Sequence, residues 1–181
     1  MTAALGIIQL LTAQLAAFLA LLLLASALHK LIRRDRTREV VHEFAGVSRR
    51  LAPFAVMMIA AAEMISAVLL WTEPYRVAGG LLAALIWGGY LSLILRAILQ
   101  GRRDVDCGCS FGATRRPLGV FHVTRNVVLA GAALLISGGS AAASNNPIVA
   151  SQILPALALL ALYGALDQVM GLTPPRGGVL L

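Results

Sequence analysis

Residues 6–28 read GIIQLLTAQLAAFLALLLLASAL, and this uncharged stretch decides the fold. A helix needs about 20 predominantly apolar residues to cross the roughly 30 Å hydrocarbon core of a bilayer. The stretch meets that length and therefore predicts a transmembrane helix. It ends at His29-Lys30, which we interpret as the interfacial end of the span, because long basic side chains extend toward the headgroups.

A cleavable signal peptide is the other interpretation of this stretch. Ala25-Ser26-Ala27 resembles a small-residue cleavage site. However, no basic residue precedes the apolar run, and the run is longer than that of a typical signal peptide. We therefore expect the first span to be retained.

The composition of the whole chain agrees with a membrane protein. Of 181 residues, 59% are hydrophobic and 13% are charged, and the mean hydropathy is +0.85. Soluble domains carry about 25% charged residues. One small core cannot hide this much apolar surface, so the remainder must face lipid. The length fits a single domain, residues 1–181.

Four further apolar stretches alternate with polar connectors. Residues 126–166 carry no formal charge and are too long for one crossing, but Gly and Ser at 138–140 and an Asn-Asn-Pro turn at 145–147 divide them. The predicted fold class is an all-α, polytopic membrane bundle with a four-helix core, plus a short interfacial helix at Thr37–Val47. The five predicted spans are 6–28, 51–71, 77–99, 118–137 and 148–170.

Small residues recur within the predicted spans. They form the pairs Gly79-Gly80 and Gly88-Gly89 and the alanine-rich stretches 60–62 and 130–133. Small side chains let membrane helices approach closely. We therefore expect helix contacts at these positions.

Basic residues concentrate in two connectors that lie on the same side of the predicted bundle. Residues 29–50 and 96–117 hold twelve of the fifteen Lys and Arg residues, whereas 72–76 holds only Arg76 and 138–147 holds none. Connectors rich in Lys and Arg stay in the cytoplasm. This predicts a bacterial inner-membrane protein with its amino terminus outside and its carboxyl terminus inside. Anionic headgroups suffice to explain the basic runs, so no nucleic-acid partner is expected.

The two cysteines of the chain, Cys107 and Cys109, flank Gly108 in the polar turn 101–117. Cysteines one residue apart can form a strained disulfide, the kind that exchanges readily. Gly108 supplies the backbone freedom that such a turn needs. Neighbouring arginines favour the thiolate and neighbouring aspartates disfavour it. The pattern alone leaves redox exchange, metal binding and an idle pair open.

A polar face is predicted on the fourth span. His122, Arg125 and Asn126 are spaced i, i+3, i+4 and therefore share one side of a helix. A guanidinium within a membrane needs a carboxylate or a water-filled cavity. Glu63 in the second span is the first candidate partner for Arg125, and Asp167 is the competing one. The face is either a structural pairing that fixes helix packing or a support beneath the cysteine turn.

Taken in order, these features resemble the methylamine utilisation protein MauE family, which is distantly DoxX-like. The most specific match is the cysteine pair followed by Phe-Gly and, about sixteen residues on, by Arg-Asn. Many relatives read Cys-x-Cys-Phe-Gly, whereas here Ser110 precedes Phe111-Gly112, which affects only the turn geometry. The features that match are His29-Lys30, Glu63, Asp106-Cys107-Gly108-Cys109 and Arg125-Asn126.

The resemblance implies a role in protein maturation. Members of the family are expected to support the disulfide-rich beta subunit of periplasmic methylamine dehydrogenase, beside a thioredoxin-like, MauD-like partner. By that analogy the protein would be a membrane thiol-disulfide oxidoreductase in which Cys107 and Cys109 cycle between dithiol and disulfide. The supporting residues would be Gly108, Glu63, His122, Arg125 and Asn126.

The implied client conflicts with the charge rule. A periplasmic client matures outside the cell membrane, whereas the basic connectors place the cysteine turn inside. A re-entrant, water-accessible turn that is reached from both faces, as in DsbD-like electron carriers, would resolve the conflict. An inverted protein is the alternative.

Two rival functions stay open. A carrier of a soft ion such as Cu(I) would use Cys107, Cys109 and one of His122, His42 or His29. A non-enzymatic scaffold would instead hold a maturation partner. No nucleotide-binding motif or zinc quartet is visible, so no cofactor is evident. A quinone is left open, although no residue points to it.

Overall fold

The described part of the chain is a bundle of α-helices. The structure is a computed structural model that describes residues 2–102, 119–138 and 150–172, and it has no strand within them. A short 3₁₀ turn at Glu73–Tyr75 precedes the fourth helix. The helices are α1 (Thr2–Ile32), α2 (Arg34–Ala45), α3 (Ala52–Trp71), α4 (Arg76–Leu99), α5 (Val120–Gly138) and α6 (Ala150–Leu172).

Within the described ranges, five helices are long and apolar enough to cross a membrane: α1, α3, α4, α5 and α6. The predicted all-α, polytopic class is therefore confirmed. Four predicted spans agree with their helices to within two residues at each end. The first does not, because α1 runs four residues past residue 28, through His29 and Lys30. The single domain of residues 1–181 stays a prediction.

Four of the five spanning helices share one core. Its largest hydrophobic cluster draws its buried side chains from α1, α3, α4 and α5, and the cluster includes Leu19, Leu70, Trp87 and Ile136. The helix α6 adds only partly buried side chains, among them Tyr163, and it packs mainly against α1. A four-helix core with a fifth helix at its side is thus the observed arrangement.

The outward faces of the bundle are apolar. Leu85 on α4, Leu135 on α5 and Leu154 on α6 are each more than 70% exposed. Such a belt of exposed large aliphatic side chains would be unfavourable in water. It fits contact with lipid and agrees with the composition.

The glycine pair at the start of α4 lets neighbouring helices approach. A Cβ at Gly79 would lie 2.6 Å from the backbone nitrogen of Leu70 on α3, and one at Gly80 would lie 2.9 Å from the carbonyl oxygen of Ala133 on α5. By contrast, a Cβ at Gly88 or Gly89 would meet nothing within 4 Å. The close approach expected from small residues therefore holds for the first pair and is wrong for the second.

The helix α4 ends in a Schellman motif. The amide of Arg102 donates to the carbonyl of Ala97, and that of Gly101 donates to the carbonyl of Ile98, at 3.0 Å each. Gly101 has a φ of 70°, the left-handed conformation that favours glycine in this motif. The chain thus leaves α4 with a defined direction just before the predicted cysteine turn.

Substituting Gly79 by alanine tests the close contact between α3 and α4. We expect Gly79→Ala to lower the free energy of unfolding by roughly 1–3 kcal/mol, because the new methyl group overlaps rigid backbone atoms of α3. The matched control is Gly88→Ala on the same helix. It should be neutral or stabilising by up to about 1 kcal/mol, because alanine favours helix and the site is open. Unfolding in mixed detergent micelles measures both, and equal effects would contradict the packing.

Candidate functional site

The cysteine turn joins α4 to α5 at the basic end of the bundle. Cys107, Gly108 and Cys109 lie outside the described residues, but both flanks are described. The two helices are antiparallel, because Gly80 approaches Ala133 at one end while Ile94 and Val123 belong to one cluster at the other. Residues 102 and 119 therefore lie at the same end.

The charged site nearest the middle of the bundle is built around Glu63 of α3. Its carboxylate is buried, and Oε1 accepts hydrogen bonds from Lys30 Nζ at 2.8 Å, Ser26 Oγ at 2.9 Å and Tyr90 OH at 2.7 Å. Its second oxygen accepts from Lys30 Nζ at 3.1 Å. Both oxygens are therefore satisfied by donors from α1 and α4, as a buried carboxylate requires.

Lys30 reaches this site because its side chain follows the helix inward. Helical side chains lean toward the helix amino terminus, which here places the ammonium over Ser26, one turn earlier. The Nζ atom donates to Ser26 Oγ at 2.6 Å and lies 5.4 Å from the centre of the Tyr90 ring. Lys30 is only 7% exposed. Its interpretation as an interfacial end of the first span is therefore wrong, since α1 continues to Ile32 and Glu63 attracts the ammonium into the bundle.

Arg125 forms the second buried ion pair, with Asp167 of α6. The distance from Nη1 to Oδ1 is 3.2 Å, and the two side chains are 6% and 1% exposed. The pairing of Arg125 with Glu63 is therefore wrong, and the competing partner, Asp167, is the one that the structure supports. The physical reason is that Lys30, on the helix beside α3, already neutralises Glu63.

The predicted polar face of α5 is confirmed. His122, Arg125 and Asn126 are all buried. The side-chain amide of Asn126 donates to the carbonyl of His122 at 2.8 Å, and the amide of Gly119 donates to Nδ1 of His122 at 3.4 Å. Two of these residues thus order the first turns of α5, directly after the segment that holds the cysteines.

A small cavity lies between the two ion pairs. Its volume is about 30 Å³, and its polar lining comes from both sites: Ser26 and Tyr90 from the first, Arg125 and Asn126 from the second. A site of this size holds roughly two water molecules. The cavity is therefore bordered by Arg125 of the second ion pair and by Ser26 and Tyr90, which both donate to Glu63 of the first.

The two ion pairs are electrically balanced. Each joins one cation to one carboxylate, so the charge of Arg125 is largely compensated by Asp167. Of the two expectations for this face, the structural pairing is present between Arg125 and Asp167, and the support beneath the cysteine turn stays a prediction. A role in holding the first turns of α5 in place fits the geometry.

Sequence reasoning missed Ser26 and Tyr90 and misplaced Lys30. One signal was available, because Ser26 and Lys30 are four residues apart and share a face of α1. Within the described ranges no group of three or more His, Cys, Asp and Glu could hold a metal ion. The alternative metal set of Cys107, Cys109 and His122 includes residues outside those ranges and stays a prediction.

Apolar outward faces and an interior with two ion pairs define a polytopic helical membrane protein. The sequence profile of the family described as methylamine utilisation protein MauE matches residues 7–139, well over half of the chain. The chain therefore belongs to the MauE family.

Two relatives carry the same name. The methylamine utilization protein MauE of Paracoccus denitrificans is 32% identical over 117 residues, which cover 65% of this chain and 63% of that protein. The MauE protein of Methylophilus methylotrophus is 31% identical over 162 residues, which cover 85% of this chain and 83% of that protein. The chain thus spans slightly less than two thirds of the Paracoccus protein. No solved structure matches it.

Removing one member of the Lys30–Glu63 pair tests whether the pair holds the bundle together. We expect Lys30→Met and Glu63→Gln each to destabilise by about 3–5 kcal/mol, because each leaves a buried group without its partner. The free energy of unfolding of the double variant should fall by much less than the sum of the decreases in the two single variants. Unfolding of the purified variants in detergent gives the coupling.

An exposed pair provides the control for this cycle. Arg38 and Asp35 are 3.1 Å apart at the surface, and Asp35 is 96% exposed. Asp35→Asn should change the free energy of unfolding by less than about 1 kcal/mol. Additive effects of the Lys30 and Glu63 substitutions would show that the buried ion pair is not a unit.

Proposed function

We propose that this MauE-family protein carries out thiol–disulfide exchange through Cys107 and Cys109. The observation that supports the proposal most directly is the place of the cysteine segment. The residues that flank it, Arg102 and Gly119, lie at one end of the bundle, and the buried polar face of α5 begins three residues after Gly119. The only two cysteines of the chain therefore belong to one short connector, whose described flanks lie at the end of the bundle where this polar face begins.

The reaction is a pair of exchanges that balances without a bound cofactor. In the oxidised protein, a thiolate of the client attacks one sulfur of the Cys107–Cys109 disulfide and forms a mixed disulfide, and the second cysteine leaves as a thiolate. A second client thiolate then attacks the mixed disulfide, which releases the oxidised client. The client loses two electrons and two protons, and this protein gains them. A thioredoxin-like partner with its own disulfide would return the pair to the oxidised state.

The proposed partners rest on the resemblance to the family. The relatives are named for methylamine utilisation. We infer that the client is the disulfide-rich beta subunit of a methylamine dehydrogenase and that a MauD-like, thioredoxin-like protein is the redox partner. The family name supports methylamine utilisation as the pathway. The presence of exactly two neighbouring cysteines supports thiol–disulfide exchange as the chemistry.

The proposed orientation rests on the basic connectors. They lie on the side of the bundle that carries the cysteine segment, and the positive-inside rule assigns that side to the cytoplasm. The amino terminus is then outside and the carboxyl terminus inside the bacterial inner membrane. A cysteine turn that folds back into the bundle would be reached by water from the periplasm as well, and this part of the proposal rests on the periplasmic client.

Serine substitution tests the exchange reaction. In a strain that lacks this protein, Cys107→Ser and Cys109→Ser should each abolish the disulfide-bonded form of the beta subunit, because exchange needs both sulfurs. Ser110→Ala removes a hydroxyl from the same turn and should leave maturation intact. Immunoblots of the client after alkylation, without reductant, measure the outcome.

Two outcomes of this experiment would favour the rival functions. If Cys109→Ser supports maturation while Glu63→Gln abolishes it, the protein is a scaffold and exchange is refuted. If the purified protein retains one copper ion that thiol alkylation releases, and neither cysteine forms a disulfide under mild oxidation, the soft-metal carrier is favoured.

A labelling experiment tests the orientation. A membrane-impermeant maleimide added to intact spheroplasts should label a Thr72→Cys variant that lacks both native cysteines, because Thr72 is exposed in the weakly charged connector on the opposite side. Labelling of Thr72→Cys only after the membrane is permeabilised would show that the protein is inverted. If Thr72→Cys is labelled in this way, labelling of Cys107 or Cys109 in intact spheroplasts that carry the unsubstituted protein would support the turn that is reached from both faces.

A further inference from the structure

A second cavity lies beneath α2, and Lys30 and Tyr90 of the Glu63 site form part of its wall. Its volume is about 100 Å³, and α2, α3 and α4 enclose it together with the stem of Lys30. Nearly all of its lining surface is carbon. The apolar side chains that face it include Val40 and Phe44 of α2, Ala55 and Ile59 of α3, and Leu93 of α4.

The shape of the cavity follows from the way α2 rests on the bundle. Val41 of α2 packs against Ala52 and Val56 of α3, and Phe44 packs against the cluster around Ile94 of α4. Both contacts lie in the carboxyl-terminal half of the helix, and the space beneath it is lined by Thr37 and Val40 as well as by Val41 and Phe44. Apolar cavities of this kind stay dry and bind apolar groups. The cavity therefore suits a hydrocarbon chain better than water or a polar metabolite.

The basic rim of the site is the segment of residues 32–38, which adjoins the cavity through Thr37. Lys30 and Thr37 line the cavity, and the chain between them turns from α1 into α2 with Arg33 and Arg34 exposed. An open, polar depression is formed at this corner by Ile32 and by the run Arg33, Arg34, Asp35, Arg36 and Arg38. Because it has four arginines and one aspartate, the depression carries a net positive charge, which favours binding of a phosphate group.

We propose that this corner is a specific site for one anionic phospholipid, with a short stretch of an acyl chain in the cavity under α2 and the phosphate on Arg33 and Arg34. The two halves of such a lipid match the two halves of the site, an apolar cavity and a cationic rim. Anionic phospholipids are also present around any membrane protein whose helices cross a leaflet that contains them. A lipid without net charge would also fill the cavity. Its headgroup, however, would offer the arginines no net negative charge.

The site has a consequence for the cysteine segment. The guanidinium of Arg102 donates to the carbonyl oxygen of Glu43 near the end of α2. A chain bound beneath α2 would fix this helix and, through Glu43, the point at which the cysteine segment leaves the bundle. The lipid site is independent of the proposed redox function, since neither its cavity nor its rim contains a cysteine.

Lipid titration with charge-matched variants tests the rim. Native mass spectrometry of the full-length protein in a non-ionic detergent should show one tightly bound phosphatidylglycerol and weaker binding of phosphatidylcholine. Because each surface charge contributes about fivefold, Arg33→Gln/Arg34→Gln should weaken phosphatidylglycerol binding by roughly thirtyfold. Arg49→Gln/Arg50→Gln changes the net charge equally but lies outside both cavities, so it should leave the bound lipid in place.

A second pair of variants tests the cavity itself. Ala55→Leu fills the space beneath α2 and should weaken the tight site, whereas Ala61→Leu makes the same change on the exposed face of α3 and should not. Equal weakening by the two arginine pairs, or equal affinity for the two lipids, would overturn the proposal. So would a stoichiometric isoprenoid quinone that phosphatidylglycerol fails to displace. If Ala55→Leu does not fold, the comparison of the two arginine pairs decides whether the proposal holds.

Discussion

The buried ion pair between Lys30 and Glu63 is the constraint on which the described bundle depends. A single charge in a low-dielectric interior is very costly, and it is tolerated only when a partner and further hydrogen bonds surround it. Here the partners come from three helices, since Ser26 and Lys30 lie on α1, Glu63 on α3 and Tyr90 on α4. Few rotations or shifts of these helices keep all the contacts. The pair therefore fixes helix orientation, which apolar packing alone specifies weakly in a membrane.

The second ion pair extends this polar interior toward the end of the bundle that carries the cysteine segment. Arg125 and Asp167 join α5 to α6, a helix that otherwise packs mainly on α1. The cavity between the two pairs brings Tyr90 and Arg125 to one space. The described residues next to the cysteine segment, Arg102 and Gly119, lie at this same end of the bundle.

The sequence predicted the helices well and the interior contacts poorly. Hydropathy locates spans because each must match the thickness of the bilayer, and four of five agreed closely with the structure. The same rule placed Lys30 at the interface, since it treats a charge as the end of a span and cannot detect a partner on another helix. Equal depth made Glu63 and Asp167 both acceptable for Arg125, and only the rotation of the helices distinguished them. The cavity beneath α2 arises from imperfect packing, which has no signature in the sequence.

A redox titration of Cys107 and Cys109 tests the central claim most directly. The purified protein would be equilibrated with mixtures of reduced and oxidised glutathione, whose potential range suits a strained disulfide, and its free thiols would then be alkylated and counted by mass. The account predicts one reversible transition in which both thiols disappear together as the mixture becomes oxidising, with no partly oxidised monomer. Two free thiols at every ratio, or loss of thiols only through links between molecules, would contradict it.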